Sequence, residues 1–314
     1  MKEKAPIALF CYNRLDCLKR TVAALQTNEL ASDSDLFIFS DGPKPKDDSA
    51  AVFGVRTYLK TITGFRSIHI KEAETNLGLA NSIIAGVTEV VNRFGKIIVL
   101  EDDLVTSPYF LRFMNEALDF YEKNETVAGI HAYCPFEEEE QIPETYFMRE
   151  VGCWGWATWK RGWQLFEPDT DKLISQLNTK QLRYDFNVYG SYPYYEMLLD
   201  QKAGRVDSWA IRWYASVFLK GKLGLQSGRN LVSHIGYQQG THCMGIELTP
   251  EKTSDSRPEI KEIPIKDSSD IRQKHYAKYF QSLRLKKQNP LKKIIIGCLP
   301  YGMVSMLRRI RGKK

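Results

Sequence analysis

Short apolar runs alternate with stretches of helical periodicity over residues 7–133, and this alternation constrains the fold more than any other feature. Such alternation is typical of a mostly parallel, doubly wound sheet with helices on both faces. We therefore predict an α/β chain with a Rossmann-like sheet. The predicted strands are 7–12, 35–43, 67–72, 96–103 and 126–133, and the predicted helices are 14–26, 50–62, 76–94 and 107–124.

Polar residues follow three of these strands, at the edge where open α/β sheets bind ligands. Arg14 follows the first strand, Asp41 the second, and the acids of 101–103 the fourth. Neither a GxGxxG nor a GxxxxGK[ST] sequence is present, so the common dinucleotide and P-loop signatures are excluded.

The acids Glu101, Asp102 and Asp103 end the most apolar strand, where repulsion and desolvation are costly. One interpretation is that Asp102 or Asp103 caps a helix starting near Ser107. The other is a hard cation, since carboxylates at a strand end suit Mn²⁺ or Mg²⁺.

Composition limits the alternatives. The 6 cysteines are scattered without metal-ligand spacing, and no apolar run is long enough to span a bilayer, so we expect a cytoplasmic chain. The net charge of +6 comes from the tail, because residues 284–314 hold 10 Lys and Arg and no acid, which leaves 34 basic against 38 acidic residues elsewhere. This distribution argues against a nucleic-acid partner.

The segment IIVLEDDLVTSPYFLRFMNEALDFYEKNETVAGIHAY (97–133) resembles the core of the GT-A glycosyltransferases, closest to the N-acetylglucosaminyltransferase I type. FCYNR (10–14) and FSDG (39–42) fit the same family's nucleotide-binding edge. The resemblance implies a GT-A fold, a nucleotide-sugar donor such as a UDP-sugar, a glycan or lipid-linked glycan acceptor, and Mn²⁺ or Mg²⁺.

Site roles follow from this resemblance. Asp103 would bind the metal, while Asp102 and Glu101 would hold ribose and donor-sugar hydroxyls. Arg14 would face the phosphates, Asp41 would accept from the uracil N–H, and Asn76 would lie near the uracil.

Inverting transfer also needs a general base near the acceptor hydroxyl. Asp207 in RVDSWAIRWYASVF (205–218) resembles the family's catalytic acid, with Ser208 replacing a second acid. The alternative is that Asp207 caps the helix predicted over 207–220.

Four tryptophans lie in GCWGWATWKRGW (152–163). Trp154 and Trp156 are candidates for stacking on a sugar ring, by resemblance. The alternative is core packing, since Trp156, Trp159 and Trp163 have helical spacing. His242, in a glycine-rich stretch, is a candidate for phosphate or metal contact, or a plain surface histidine.

We predict a catalytic domain over 1–245, with a nucleotide-sugar and metal half (1–133) and an acceptor half (134–245). An extended segment (246–283) and a basic amphipathic tail (284–314) follow. The tail fits an anionic membrane surface, a helix packed on the body, or a disordered end.

The function expected is a metal-dependent inverting glycosyltransferase of bacterial surface-polysaccharide assembly, at the cytoplasmic face of the membrane. The alternatives are a sugar-1-phosphate nucleotidyltransferase and an inactive carbohydrate-binding protein.

Overall fold

A computed structural model describes residues 3–44, 49–136, 142–236 and 252–286. Within these residues, eight strands form one mixed sheet in the order β3-β2-β1-β4-β8-β6-β9-β7, and a separate two-stranded ribbon joins β5 to β10. The strands are β1 (Ile7–Cys11), β2 (Asp35–Ser40), β3 (Ser67–Glu72), β4 (Lys96–Glu101), β5 (Leu104–Thr106), β6 (Val127–His131), β7 (Thr145–Met148), β8 (Trp156–Trp159), β9 (Leu223–Ser227) and β10 (Val232–His234). The helices are α1 (Leu15–Gln26), α2 (Ser49–Leu59), α3 (Leu79–Phe94), α4 (Phe110–Phe120), α5 (Lys160–Trp163), α6 (Thr170–Gln176), α7 (Lys180–Phe186), α8 (Tyr194–Lys202), α9 (Trp209–Leu219), α10 (Ser269–Ile271) and α11 (Ala277–Lys286).

The first four strands of the sheet confirm the predicted α/β class. β3, β2, β1 and β4 are all parallel. Along β1, Ile7 and Leu9 belong to the core on one side of the sheet, and Ala8 and Phe10 to the core on the other. Both faces are therefore buried beneath helices, which explains why the strand is continuously apolar.

The second half of the sheet is mixed. β8 runs antiparallel to both β4 and β6, whereas β6 and β9 are parallel. The helical spacing of Trp156 and Trp159 is thus misleading, because both residues lie on β8 and only Trp163 lies on a helix, α5. The Trp156 ring packs between this strand and α9, whereas Trp159 lies in the core on the other side of the sheet and donates to the Leu118 carbonyl of α4.

The β5–β10 ribbon begins directly after the acid triplet. α4 starts only at Phe110, and its N-cap residue, Tyr109, makes no side-chain cap bond. The prediction that Asp102 or Asp103 caps this helix is therefore wrong. The described part of the segment after the ribbon, 252–268, contains no regular helix or strand, but residues 269–286 are helical, so the predicted extended segment (246–283) does not stay extended to its end.

None of the helices in the described ranges has the length and apolar character needed to cross a bilayer. Most of the tail, 287–314, lies outside the described residues, and so does His242.

Candidate functional site

The strand order creates a crevice between β1 and β4. The chain proceeds from β1 to β2 and β3 on one side, then returns to place β4 on the other side of β1. At such a reversal the connections leave in opposite directions, and ligands bind outside the carboxyl ends of the two strands. Arg14 follows β1 here and the acid triplet ends β4, so the structure brings these predicted residues together.

Arg14 forms a bridge between two of the acids. Its Nη1 donates to Asp103 Oδ2 at 2.6 Å, and its Nη2 donates to Asp102 Oδ1. The Tyr12 backbone N–H lies 3.3 Å from the other oxygen of Asp102. The two aspartate side chains are only 3% and 7% exposed, against 19% for Arg14. The guanidinium therefore supplies the positive charge that buried carboxylates require.

The ionisation of the triplet follows from this arrangement. Burial raises the pKa of Asp102 to about 6, although Arg14 opposes the shift. Burial also raises the pKa of Glu101, and the charges of Asp103 and Asp102 add to that effect. Burial alone would raise the pKa of Asp103, but hydrogen bonds from His234 and Arg14 outweigh it and lower that pKa. Asp103 is thus the most firmly ionised of the three acids.

The β5–β10 ribbon brings a histidine and a glycine over Asp103. His234 pairs with Leu104 across the ribbon, and its Nε2 lies 3.3 Å from Asp103 Oδ2. The next backbone N–H, of Ile235, donates to the Asp103 carbonyl at 2.9 Å. A Cβ at Gly236 would lie 2.2 Å from Asp103 Oδ2, so only glycine leaves room beside this oxygen.

A divalent metal fits this set of residues only with help from a ligand. In the described ranges, no group of three or more His, Cys, Asp or Glu is arranged to hold a metal by itself. Asp103 and His234 nevertheless present a carboxylate oxygen and an imidazole nitrogen side by side, next to Gly236, whose missing side chain lets the backbone approach this carboxylate closely. Metals that act on phosphates are commonly held by one or two protein groups, with phosphate oxygens and water completing the shell.

Asp41 and Asn76 meet at the end of β2. Asp41 accepts from the backbone N–H groups of Gly42, Leu77 and Gly78 and from Asn76 Nδ2, at 2.8–3.0 Å. These four donors occupy both carboxylate oxygens. Asp41 therefore holds the loop before α3 against the sheet edge. A uracil N–H would have to share an oxygen with these donors, so the uracil contacts of Asp41 and Asn76 stay predictions.

The two candidate stacking tryptophans have different environments. Trp154 is partly exposed, and its ring stacks on His234 at 4.7 Å with an angle of 12°. Trp156 is 2% exposed and packs against Trp163, Trp209 and Trp213. The prediction that Trp156 stacks on a sugar is therefore wrong, because both faces of its ring lie in the core. Trp154 lies beside the metal candidate.

Asp207 lies just before α9 with its side chain 57% exposed, and its carboxylate pairs with Arg212 at 3.0 Å. Ser208, not Asp207, caps this helix, since its hydroxyl accepts from the Ile211 N–H. The capping alternative for Asp207 is therefore wrong. The carboxylate is accessible to an acceptor, and its role as a base stays a prediction.

Sequence reasoning missed His234 and Gly236. The segment LVSHIG (231–236) looked like an ordinary strand beside the core. Its partner strand is more than 120 positions away, so no local spacing links His234 to Asp103. The sequence feature that could have indicated this part of the site is a histidine followed two residues later by a glycine, at the end of a short apolar run.

The fold and the cleft define an α/β enzyme of the GT-A type, with paired aspartates at the β4 end. The sequence matches the model of glycosyl transferase family 2 over residues 7–183, which is more than half of the chain. The chain therefore belongs to glycosyl transferase family 2 and is a glycosyltransferase. No curated protein sequence matches it significantly.

Two solved proteins illustrate the structural likeness. One is the mannosyltransferase PcManGT from Pyrobaculum calidifontis in complex with GDP-Man and Mn²⁺, with 9% identity and a TM-score of 0.38 over 69% of this chain and 70% of that one. The other is S. aureus TarS, with 11% identity and a TM-score of 0.40 over 73% of this chain. The alignment covers 36% of TarS, so this chain corresponds to about a third of that protein.

Proposed function

We propose that this chain is a metal-dependent, inverting glycosyltransferase that moves a sugar from a UDP-sugar to a glycan or lipid-linked glycan. The observation that carries the proposal is the group formed by Arg14, Asp102, Asp103 and His234 at the β1–β4 crevice. A nucleotide diphosphate brings negative charge to a site where two carboxylates already face one arginine. A divalent metal would balance this added charge.

Asp103 and His234 would hold Mn²⁺ or Mg²⁺ beside Gly236. When bound, the metal supplies positive charge that stabilises the departing diphosphate. Arg14 is then no longer needed as the partner of Asp103, and its guanidinium can turn to a phosphate oxygen, for which its planar donors are suited. The bridge to the aspartates keeps the side chain in place before the donor arrives.

The other two acids would orient the donor. Asp102 is fixed by Arg14 and by the Tyr12 N–H, and it would accept from ribose hydroxyls. The Glu101 carboxylate, at the end of β4, would accept hydrogen bonds from donor-sugar hydroxyls. Trp154 would offer its ring to a sugar, since aromatic faces favour the apolar C–H side of a pyranose.

Asp207 would take the proton from the acceptor hydroxyl as it attacks the anomeric carbon. The C–O bond to the diphosphate breaks as the new glycosidic bond forms. Arg212 orients the carboxylate until the acceptor arrives. His242 would contact the diphosphate from a segment outside the described residues.

We further propose that the tail 284–314 attaches the enzyme to an anionic membrane surface on the cytoplasmic side. Its basic residues and apolar blocks support this location, which suits a lipid-linked acceptor in bacterial surface-polysaccharide assembly.

The test is UDP release from a panel of UDP-sugars, with Mn²⁺ or with EDTA. We expect Mn²⁺-dependent release that Asp103→Ala abolishes. Asp207→Asn should keep UDP binding and lose transfer by about 100-fold or more. Asp200→Asn is the matched control, because Asp200 is also exposed and pairs with an arginine five residues later, Arg205. Binding without turnover in the wild type, even with acceptor extracts, would favour a carbohydrate-binding protein instead.

A further inference from the structure

We propose that α11, the last helix in the described ranges, is part of the active site and that Tyr279 on this helix is a positioning residue for Trp154 and His234. The inference rests on the proposed function. It extends that function to a segment outside residues 7–183, the range that matches the family.

Four side chains form a continuous contact path from α11 to Asp103, which we call the aromatic bridge: Tyr279, Tyr133, Trp154 and His234. The hydroxyl of Tyr279 lies 3.0 Å from that of Tyr133, so one donates to the other. The Tyr133 ring meets Trp154 edge to face at 4.7 Å. Trp154 in turn stacks on His234, whose Nε2 lies 3.3 Å from Asp103.

The aromatic bridge restricts the orientation of the His234 ring. The ribbon fixes the backbone of His234, but the final torsion of a histidine side chain has a broad energy profile. The flat contact with Trp154 restricts this torsion and therefore the direction of Nε2. Trp154 precedes β8 in a loop, so it depends on its neighbours for its own orientation. Tyr133 supplies the edge contact, and Tyr279 fixes the tilt of the Tyr133 ring through the hydroxyl pair.

α11 is itself held firmly against the acceptor half. Arg272, five residues before this helix, is 1% exposed and forms ion pairs with Glu150 at 2.7 Å and Asp267 at 3.2 Å. The Ser268 N–H donates to the Phe147 carbonyl at 2.8 Å. Glu150 lies only four positions before Trp154, so the base of the helix is anchored to the same loop that its Tyr279 reaches through Tyr133.

Next to Tyr279, the ring of Phe280 packs on Tyr192 at 4.7 Å. α11 therefore contacts residues that precede the Trp154 loop in the sequence, at Tyr133, and residues that follow it, at Tyr192. A helix attached at an ion cluster, at a hydroxyl pair and at an aromatic contact holds one fixed position, which a positioning element requires.

The experiment compares Tyr279→Phe, Tyr133→Phe and the double variant with the wild type. Tyr276→Phe is the matched control, because Tyr276 also pairs its hydroxyl with another tyrosine, Tyr146 at 3.4 Å, but in a core cluster that contains none of the four bridge residues. The first readout needs no ligand. Incorporation of 5-fluorotryptophan gives one ¹⁹F signal for each of the 6 tryptophans, and Trp154→Phe identifies the signal of Trp154. The second readout is the dissociation constant of UDP in the presence of Mn²⁺.

We expect the Trp154 signal to shift in Tyr279→Phe and Tyr133→Phe but not in Tyr276→Phe. The dissociation constant should rise about fivefold in each bridge variant, which corresponds to one hydrogen bond, and no further in the double variant. An unchanged Trp154 signal in Tyr279→Phe, or an equal shift in Tyr276→Phe, would overturn the inference. If the wild type binds no UDP, the proposed function fails, while the ¹⁹F signals still decide whether α11 positions Trp154.

Discussion

Removal of the Arg14 charge should destabilise the protein in a way that Mn²⁺ reverses. In Arg14→Met the side chain keeps its approximate length, but Asp102 and Asp103 lose their cation while they stay 3% and 7% exposed. Breaking a buried ion pair from one side costs about 3–5 kcal/mol. Since the pKa of Asp102 is already raised to about 6, protonation of this acid relieves part of the cost. We therefore expect a loss of about 3 kcal/mol in the free energy of unfolding at pH 7.5.

A divalent cation can replace the lost charge because the two carboxylates and His234 remain in place. Mn²⁺ at one hundred times its dissociation constant adds about 2.7 kcal/mol to the free energy of unfolding. The wild type should gain less from the same concentration, since Mn²⁺ must first displace Arg14 from Asp103. The loss in Arg14→Met should also be smaller at pH 5 than at pH 8, because protons then neutralise the same carboxylates.

Urea unfolding with and without Mn²⁺ measures these differences. Arg66→Met is the control, because Arg66 is 44% exposed and its pairing with Asp35 lies at the opposite end of β2. This variant should lose much less stability than Arg14→Met and show no added response to Mn²⁺. If Arg14→Met is no less stable than Arg66→Met, or if Mn²⁺ stabilises both equally, the proposed balance between arginine and metal is refuted.

Three further predictions use other parts of the structure. Gly236→Ala should weaken Mn²⁺-dependent UDP binding by at least about tenfold in calorimetry, whereas Gly54→Ala on α2, where a Cβ would make only an ordinary contact with Leu15 at 3.9 Å, should leave binding unchanged. Burial lowers the pKa of His131 to about 4, so the unfolded chain binds more protons below pH 6.5, and the wild type should lose about 2 kcal/mol between pH 7.5 and pH 5 relative to His131→Gln in urea unfolding. Trp156→Leu should lower the free energy of unfolding by about 3 kcal/mol, while Trp154→Leu should cost less than about 1 kcal/mol and mainly weaken UDP binding; equal losses of stability would contradict the assignment of these two rings.

The sequence predicts the first half of the fold well for a physical reason. β1, β2 and β4 are buried on both faces, so their apolar runs are continuous, whereas the edge strand β3 has only the half-buried Ile68 and Ile70 against the core. Parallel strands with short connections leave little freedom in the order of the elements. The meeting of Arg14 with Asp102 and Asp103 follows from this order alone.

The second half depends on contacts that are distant in the sequence. β8 runs antiparallel between β4 and β6, and its tryptophan spacing fits a helix as well as a buried strand. His234 reaches Asp103 only through the pairing of β10 with β5. Asp41 fixes the loop before α3 by accepting from three backbone N–H groups. Every residue except proline has such a group, so the sequence does not indicate which ones Asp41 contacts.

We propose that Asp103 holds a divalent metal at a site for a nucleotide diphosphate. Isothermal titration of UDP into the wild type and into Asp103→Ala, with Mn²⁺ or with EDTA, tests this proposal. We expect the wild type to bind UDP with Mn²⁺, EDTA to weaken this binding strongly, and Asp103→Ala to show the weak affinity under both conditions. Equal affinity in the wild type and Asp103→Ala, or no binding of UDP with either Mn²⁺ or Mg²⁺, would contradict it.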